Sequence, residues 1–223
     1  MVGDMATAIL VRHGQTTANA GGVLAGRTDV ELNDHGRAQV QALAGRLADV
    51  PLAAAVTSPL LRTRQTLAAV LAGRPDVPVV ADPDLSEVEY GEWTGAQLAE
   101  LAKDPLWPVV QAHPSAVTFP GGESMAAMSA RAVAAVRGRC AEHEPGANLL
   151  FVSHGDVIKA ILADALGMHL DAFQRINVNP ASVSVVRYVH GRPFVDRVNC
   201  GADLADLLTT ATDEAVPGGG KGG

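Results

Sequence analysis

Short apolar runs alternate with amphipathic stretches along most of this chain. The runs at residues 6–11 and 149–153 are almost continuously apolar, which is typical of strands buried on both faces of a parallel sheet. Between such runs, Val40, Leu43 and Leu47 recur with the spacing of one helix face. This β-α-β-α order predicts an α/β fold, a three-layer sandwich in which helices flank a mostly parallel central sheet.

Capping and helix-breaking residues set the predicted limits of these elements. Asn33 is an expected N-cap, because its side chain can accept a hydrogen bond from the first turn of a helix that ends near Asp49. Gly73 and Pro75 follow the next helix and should end it. The predicted elements are strands at 6–11, 52–57, 77–81, 149–153, 183–189 and 194–198, and helices at 34–49, 60–71, 96–103, 106–112, 124–140 and 157–166.

Most of the chain is expected to form one domain. Residues 1–200 carry the alternating pattern, and within them the irregular stretch 82–122 is expected to form a lid insertion. Residues 201–223 end in a glycine-rich sequence and are expected to be a largely flexible tail. A chain of 223 residues is long enough to bury a substantial core.

Charge and composition narrow the classes of partner. The formal net charge of -7 argues against nucleic acid as the main partner, although a few convergent cations in a pocket would still hold a small anion. No apolar run approaches the ~18 residues that span a membrane, and the N-terminus lacks the basic start of a signal peptide. The expected location is cytoplasmic, where Cys140 and Cys200 would be reduced thiols.

Chemically reactive side chains follow two of the predicted strands. The first strand runs into Arg12, His13 and Gly14, and a later one runs into His154 and another glycine. Arginine can make bidentate hydrogen bonds to phosphate oxygens, and histidine can act as base, nucleophile or metal ligand. Gly14 would let the backbone approach a bound group closely. One such tripeptide is also compatible with a strand that merely ends in a polar turn. Two strand ends with His-Gly favour one site with two imidazoles, at the sheet edge where ligands bind.

Further motifs follow these strand ends in a fixed order. They read LVRHGQTTAN at 10–19, LNDHGRAQ at 32–39, TSPLLRTRQT at 57–66, LSEVEYGEWTG at 85–95, FPGGES at 119–124 and VSHG at 152–155. Taken together, the chain resembles the histidine phosphatase superfamily, in the branch that also holds cofactor-dependent phosphoglycerate mutases and broad-specificity phosphatases. It looks especially like a bacterial subgroup that carries the label "probable phosphomutase".

The resemblance implies a catalytic role for each of five residues. His13 would attack phosphorus and form a phosphohistidine. Arg12, Arg62 and His154 would hold the non-bridging oxygens of the transferred phosphoryl group. Glu87 would protonate the leaving oxygen as general acid and then activate the water that hydrolyses the phosphoenzyme.

The same resemblance implies supporting roles around the phosphoryl group. Gly155 would offer its backbone N–H at a helix N-terminus, which favours anions. Thr16, Asn19 and Ser58 would support the rim of the pocket and orient the substrate. No metal site is expected, because the sequence lacks a His-x-x-x-His, a Cys-x-x-Cys and a carboxylate-rich loop. No cofactor is expected either.

Two of these assignments have neighbouring competitors. Arg62 competes with Arg64, and its position in the first turn after a Ser-Pro pair favours Arg62. Glu87 competes with Glu89 and Glu92, and its spacing to the following Gly-x-Trp-x-Gly favours Glu87. The other five histidines, at 35, 113, 143, 169 and 190, are expected in turns, caps or on the surface.

Three functions are compatible with this chain: a phosphatase of small phosphate monoesters, a phosphomutase, and a non-catalytic protein that binds phosphorylated ligands. The related mutases place an arginine directly after the acidic glutamate and a further basic pair beyond it. Here Val88 and Glu89 follow Glu87, and the region to residue 122 offers only Lys103 as a cation. Hydrolysis is therefore favoured, with residues 98–119 as the lid that contacts the leaving group. The expected partner is a small phosphorylated metabolite, and a homodimer is compatible with this interpretation.

Overall fold

A six-stranded sheet forms the centre of the protein. The computed structural model describes residues 5–201. The strands are β1 (Thr7–Arg12), β2 (Ala54–Thr57), β3 (Val79–Ala81), β4 (Asn148–Ser153), β5 (Val183–Val189) and β6 (Arg192–Cys200). Their order in the sheet is β3-β2-β4-β1-β5-β6. The first four are parallel, whereas β5 and β6 pair antiparallel, so the sheet is mostly parallel as the sequence predicts.

Helices connect the parallel strands. They are α1 (Thr17–Gly21), α2 (Asp34–Leu47), α3 (Leu61–Val70), α4 (Leu98–Leu101), α5 (Trp107–Ala112), α6 (Met125–Ala141) and α7 (Gly155–Ala165). The Asn33 side chain accepts a hydrogen bond from the Gly36 amide, which confirms the predicted N-cap of α2. The short helix α1 was not predicted, because its five residues carry no apolar periodicity. None of the described helices is long and apolar enough to cross a membrane.

The two faces of the sheet bury two different cores. Alternate residues of a strand point to opposite faces. Accordingly Ala8 and Leu10 of β1 pack in the core that contains α6 and α7, whereas Ile9 and Val11 pack in the core that contains α2 and α3. This alternation confirms the three-layer arrangement, because each face of the sheet is covered by helices.

Residues 82–122 contain several short helices, and apolar side chains of this stretch join the core. Trp93 and Trp107 stack with ring centroids 6.2 Å apart, and Phe119 packs against Trp93. Trp107, which the sequence places in the lid, is thus largely buried. The assignment of this stretch as a lid stays a prediction. The predicted tail at 201–223 lies, apart from Gly201, outside the described residues.

Candidate active site

Three parallel strands deliver polar residues to one edge of the sheet. Arg12 pairs with Ser153 across β1 and β4, so the residues that follow, His13 and His154, emerge side by side. Their ring centroids lie 5.2 Å apart. Strand β2 is the other neighbour of β4 and delivers Ser58 to the same edge. The two His-Gly strand ends therefore form one site, as their sequence pattern predicts.

The hydrogen bonds of His13 assign its proton. Nδ1 lies 2.7 Å from the Gly14 carbonyl oxygen and must donate to it, while Nε2 accepts from Nε of Arg62 at 3.2 Å. Burial, and then the charges of Arg62 and Arg12, hold the pKa of His13 well below its ordinary value. The imidazole is therefore neutral at pH 7, with its lone pair on Nε2.

Gly14 packs tightly against α2, a contact that the sequence analysis did not predict. A Cβ at this position would lie 2.8 Å from the Gly36 carbonyl oxygen and 2.8 Å from Cγ1 of Val40. A side chain at this position would therefore collide with the N-terminal part of α2. Local sequence does not show that α2 packs directly on the turn after β1. The approach of this backbone to a bound group stays a prediction.

Arg62 is held beside His13 by backbone carbonyls. It lies in the first turn of α3 and is buried, whereas Arg64 is exposed. Its Nη1 donates to the Thr28 carbonyl at 2.9 Å and its Nη2 to the Gly26 carbonyl at 2.7 Å. Together with the bond to His13, three of the five guanidinium N–H groups have these partners, which fixes its orientation.

His154 presents an unused donor. Its Nε2 lies 2.8 Å from Oγ of Ser58, and that oxygen accepts from the Leu60 amide at 3.4 Å. In the tautomer in which the Ser58 hydroxyl donates to Nε2, the proton of His154 lies on Nδ1. Nδ1 is buried and has no hydrogen-bond partner among residues 5–201. An oxygen of a bound anion would satisfy this donor, and α7 begins at the next residue, Gly155.

Glu87 is the buried member of the three candidate glutamates. Its side chain is 4% exposed, whereas Glu89 and Glu92 are exposed. Burial and then the charge of Asp156 raise the pKa of Glu87 to about 7, against the opposing charge of Arg62. A carboxyl group with this pKa can hold a proton near neutral pH and can also release it.

Two arginines that the sequence analysis did not single out hold the backbone of Glu87. Its carbonyl oxygen accepts from Nε of Arg27 at 3.1 Å and from Nη2 of Arg131 at 3.2 Å. Glu123 pairs with both arginines, at 3.1 Å and 2.6 Å respectively. The FPGGES motif contains Glu123 and was the one sequence signal that pointed to this cluster. The pairing of Arg27 with Glu87 and Glu123 joins residues far apart in the chain, so it leaves no local pattern in the sequence.

The buried charges of the site suit a doubly charged anion. Arg12 is fully buried, and its Nη1 donates to the Val178 carbonyl at 2.7 Å. Burial lowers its pKa to about 10, so it stays a cation at pH 7. When Glu87 is protonated, Arg12 and Arg62 leave two positive charges, since Lys159 lies 3.6 Å from Asp156 and offsets it. A phosphate monoester dianion would balance them.

The remaining predicted residues lie nearby with structural contacts of their own. Thr16 is buried at the N-terminus of α1, where its Oγ1 donates to Asn19 Oδ1 at 2.9 Å and accepts from the Asn19 amide at 3.1 Å. This capping box fixes the turn that follows His13. The substrate-orienting role of Thr16 and Asn19 stays a prediction, whereas Ser58 contacts His154.

Comparison with known proteins identifies the family. A family model described as the histidine phosphatase superfamily (branch 1) matches residues 8–201. The chain belongs to the histidine phosphatase superfamily. It is 35% identical over 179 residues to a Gloeobacter violaceus protein named 2,3-bisphosphoglycerate-dependent phosphoglycerate mutase 2, which covers 78% of this chain and 82% of that protein.

Solved structures extend the likeness to phosphatases. Bacillus stearothermophilus YhfR superposes with a TM-score of 0.82 at 30% identity, covering 89% of this chain and 98% of that chain. The mycobacterial glucosyl-3-phosphoglycerate phosphatase superposes with a TM-score of 0.77 at 25% identity, covering 88% and 99%. These findings confirm the resemblance and the α/β fold, and they make the chain an enzyme of the phosphatase and phosphomutase type.

Proposed function

We propose that the protein hydrolyses a small phosphate monoester through a phosphohistidine on His13. The observation that carries this proposal is the neutral His13, whose Nε2 lone pair lies against Arg62, in a site that also contains the buried Glu87. Nε–H of Arg62 turns from Nε2 to a phosphoryl oxygen, Nε2 attacks phosphorus, the ester P–O bond breaks, and Glu87 gives its proton to the leaving oxygen. Water then attacks phosphorus, Glu87 takes a proton from it, the P–N bond breaks, and inorganic phosphate leaves.

The cations and buried donors would stabilise the charge that develops on the phosphoryl oxygens. Arg12, Arg62 and Nδ1–H of His154 supply side-chain donors, and the Gly155 amide supplies one at the N-terminus of α7. Preorganised donors of this kind are worth roughly 10²- to 10³-fold in rate each, because they need no reorganisation during the reaction.

The surroundings of Glu87 favour water over a second acceptor. Val88 is fully buried, and the Glu89 carboxylate pairs with Arg27 at 3.1 Å. Lys103 is exposed and pairs with Glu100 at 2.8 Å. Residues 88–122, all of which the structure describes, therefore offer no unpaired cation that would retain a second anionic group while water is excluded. Transfer between two hydroxyls remains the second candidate, because a relative 35% identical over 179 residues is named a phosphoglycerate mutase.

The buried cations of the site support a phosphorylated substrate. The location and the oligomeric state are expected from the sequence alone. The partner we propose is a small phosphorylated metabolite whose leaving group contacts residues 98–119. The cytoplasmic location and the homodimer stay predictions.

The covalent step is tested by trapping. After brief incubation with a phosphate ester carrying labelled phosphorus and denaturation, we expect acid-labile, base-stable label on His13. His13→Ala should lose both the label and turnover, whereas the control His35→Ala, an exposed residue of α2, should keep both. Turnover of His13→Ala at the rate of the control would refute the phosphohistidine.

A product assay distinguishes hydrolysis from transfer. Phosphorus NMR with 3-phosphoglycerate, with and without 2,3-bisphosphoglycerate, should show release of inorganic phosphate and no stimulation by the bisphosphate. Isomerisation to 2-phosphoglycerate faster than hydrolysis would replace the phosphatase proposal by the mutase.

A further inference from the structure

A buried polar group lies in the first turn of α7 and has no part in the mechanism above. Tyr90 Oη donates to Asp156 Oδ2 at 2.8 Å, and Lys159 Nζ lies 3.6 Å from Asp156 Oδ1. Lys159 also donates to Gln174 Oε1 at 3.0 Å. All four side chains are buried. Tyr90 and Lys159 thus hold the Asp156 carboxylate in place just beyond His154.

Two hydrogen bonds tie the Glu87 segment to the strand and helix that flank His154. Ser153 Oγ donates to the Leu85 carbonyl at 2.8 Å, two residues before Glu87. The bond from Tyr90 to Asp156 makes the second tie, three residues after Glu87. Glu87 is therefore held between two anchors, one of which is the Asp156 carboxylate itself.

The charges that face Glu87 come from several elements. Those of Arg12 and Arg62 favour its ionisation, whereas that of Asp156 opposes it. Arg27 and Arg131 donate to the Glu87 carbonyl. The other charged or titratable groups of the site among the described residues are Tyr90 on the Glu87 segment, Lys159 beside Asp156 on α7, and the imidazoles of His13 and His154.

We propose that Asp156 is a positioning residue that keeps the proton on Glu87, through its fixed negative charge and its hydrogen bond with Tyr90. Two buried arginines that attract a phosphate dianion would by themselves draw the proton from a neighbouring carboxyl group. A second carboxylate, held in place by Tyr90 and Lys159, offsets that pull. The inference rests on the proposed function in one respect, since the retained proton matters because Glu87 protonates the leaving group.

The first test measures the proton directly and needs no turnover. The infrared C=O band of protonated Glu87, assigned by its loss in Glu87→Gln, is followed as a function of pH in the substrate-free protein. In Asp156→Asn, whose amide can still accept from Tyr90, the midpoint should fall by about one pH unit or more. The matched control is Asp164→Asn on the same helix, an exposed aspartate paired with Arg137, which should leave the midpoint unchanged.

The second test follows the consequence for catalysis. The alkaline limb of the kcat/KM profile for an alkyl phosphate should move to lower pH in Asp156→Asn by the same amount as the infrared midpoint. Phosphorylation by an aryl phosphate, whose leaving group needs no proton, should keep its profile. If Asp156→Asn fails to fold because Lys159 is left buried without its partner, Asp156→Asn/Lys159→Met removes both charges. Its midpoint should also fall, but by less than in the single variant, because the lysine charge that favours ionisation of Glu87 is lost together with that of Asp156.

Each outcome decides one proposal. A midpoint unchanged in the folded Asp156 variants would overturn the role of Asp156, even if activity fell, because loss of activity alone indicates only a structural role. The two proposals can also part. If the midpoint falls in the Asp156 variants while His13→Ala still turns over, the role of Asp156 is supported and the phosphohistidine mechanism is refuted.

Discussion

Replacing Glu87 by glutamine removes an ionisable proton from a buried site and keeps the size of the side chain. The pKa of Glu87 is raised from 4.5 to about 7, mainly by burial. Below pH 4.5 the carboxyl is protonated in the folded and the unfolded chain. As the pH rises from 4.5 to about 7, Glu87 ionises in the unfolded chain but keeps its proton in the folded one. The free energy of unfolding of the wild type therefore falls over this range, whereas the glutamine variant has no such loss.

The magnitude follows from the same two values. At about 1.4 kcal/mol for each pH unit that separates them, the loss amounts to about 3 kcal/mol above pH 7. For a protein of this length, 1 kcal/mol corresponds to roughly 2–4 °C in Tm. We therefore expect the Tm of Glu87→Gln to rise relative to the wild type by roughly 6–12 °C between pH 4.5 and pH 8.5.

The assay is a series of thermal unfolding curves across that pH range. Any effect of glutamine on packing is the same at every pH, so the change in the difference between the two proteins reports the ionisation alone. Glu89→Gln is the control, because this side chain is 53% exposed and undergoes the same chemical change. A Tm difference between Glu87→Gln and the wild type that is constant across pH would refute the reasoning.

Three further predictions concern residues around Glu87 and the two histidines. Arg62→Lys should lower kcat by roughly 10²- to 10³-fold, because a lysine cannot reproduce the oriented fork beside His13; Arg64→Lys should leave kcat unchanged, and equal losses would contradict the assignment. Ser58→Ala should lower kcat/KM roughly tenfold, because Nε2 of His154 loses its donor; an unchanged kcat/KM would show that the proton of His154 needs no such partner. Glu123→Gln should lower the free energy of unfolding at pH 7. Partial burial raises the pKa of Glu123, but hydrogen bonds from Arg131 outweigh it and lower the pKa below its ordinary value. The loss of unfolding free energy should therefore shrink as the pH falls through that pKa, because wild-type Glu123 is then protonated too. Denaturant titrations at several pH values measure this loss. A deficit that persists at low pH would argue against an ionic role.

Local patterns were enough to identify the six strands and the described helices other than α1. The apolar run at 6–11 corresponds to β1 at Thr7–Arg12, and the N-cap at Asn33 begins α2 as predicted. Strand β6 extends beyond its predicted limits, since the residues added at its two ends, Arg192, Pro193, Asn199 and Cys200, form no apolar run. Period and capping depend on neighbours within a few residues, and this is the information that a single sequence contains directly.

The amino-acid sequence by itself determined the class of fold, the presence of two His-Gly strand ends and, through its motifs, the candidate residues of the site. Only the tertiary structure decided that β4 lies between β1 and β2, which brings His154 to within hydrogen-bond distance of Ser58. It also decided the proton positions, the burial that raises the pKa of Glu87, and the charge of Asp156 behind it. These properties arise from contacts between residues far apart in the chain, and from the exclusion of water that such contacts produce. Local sequence patterns do not contain them.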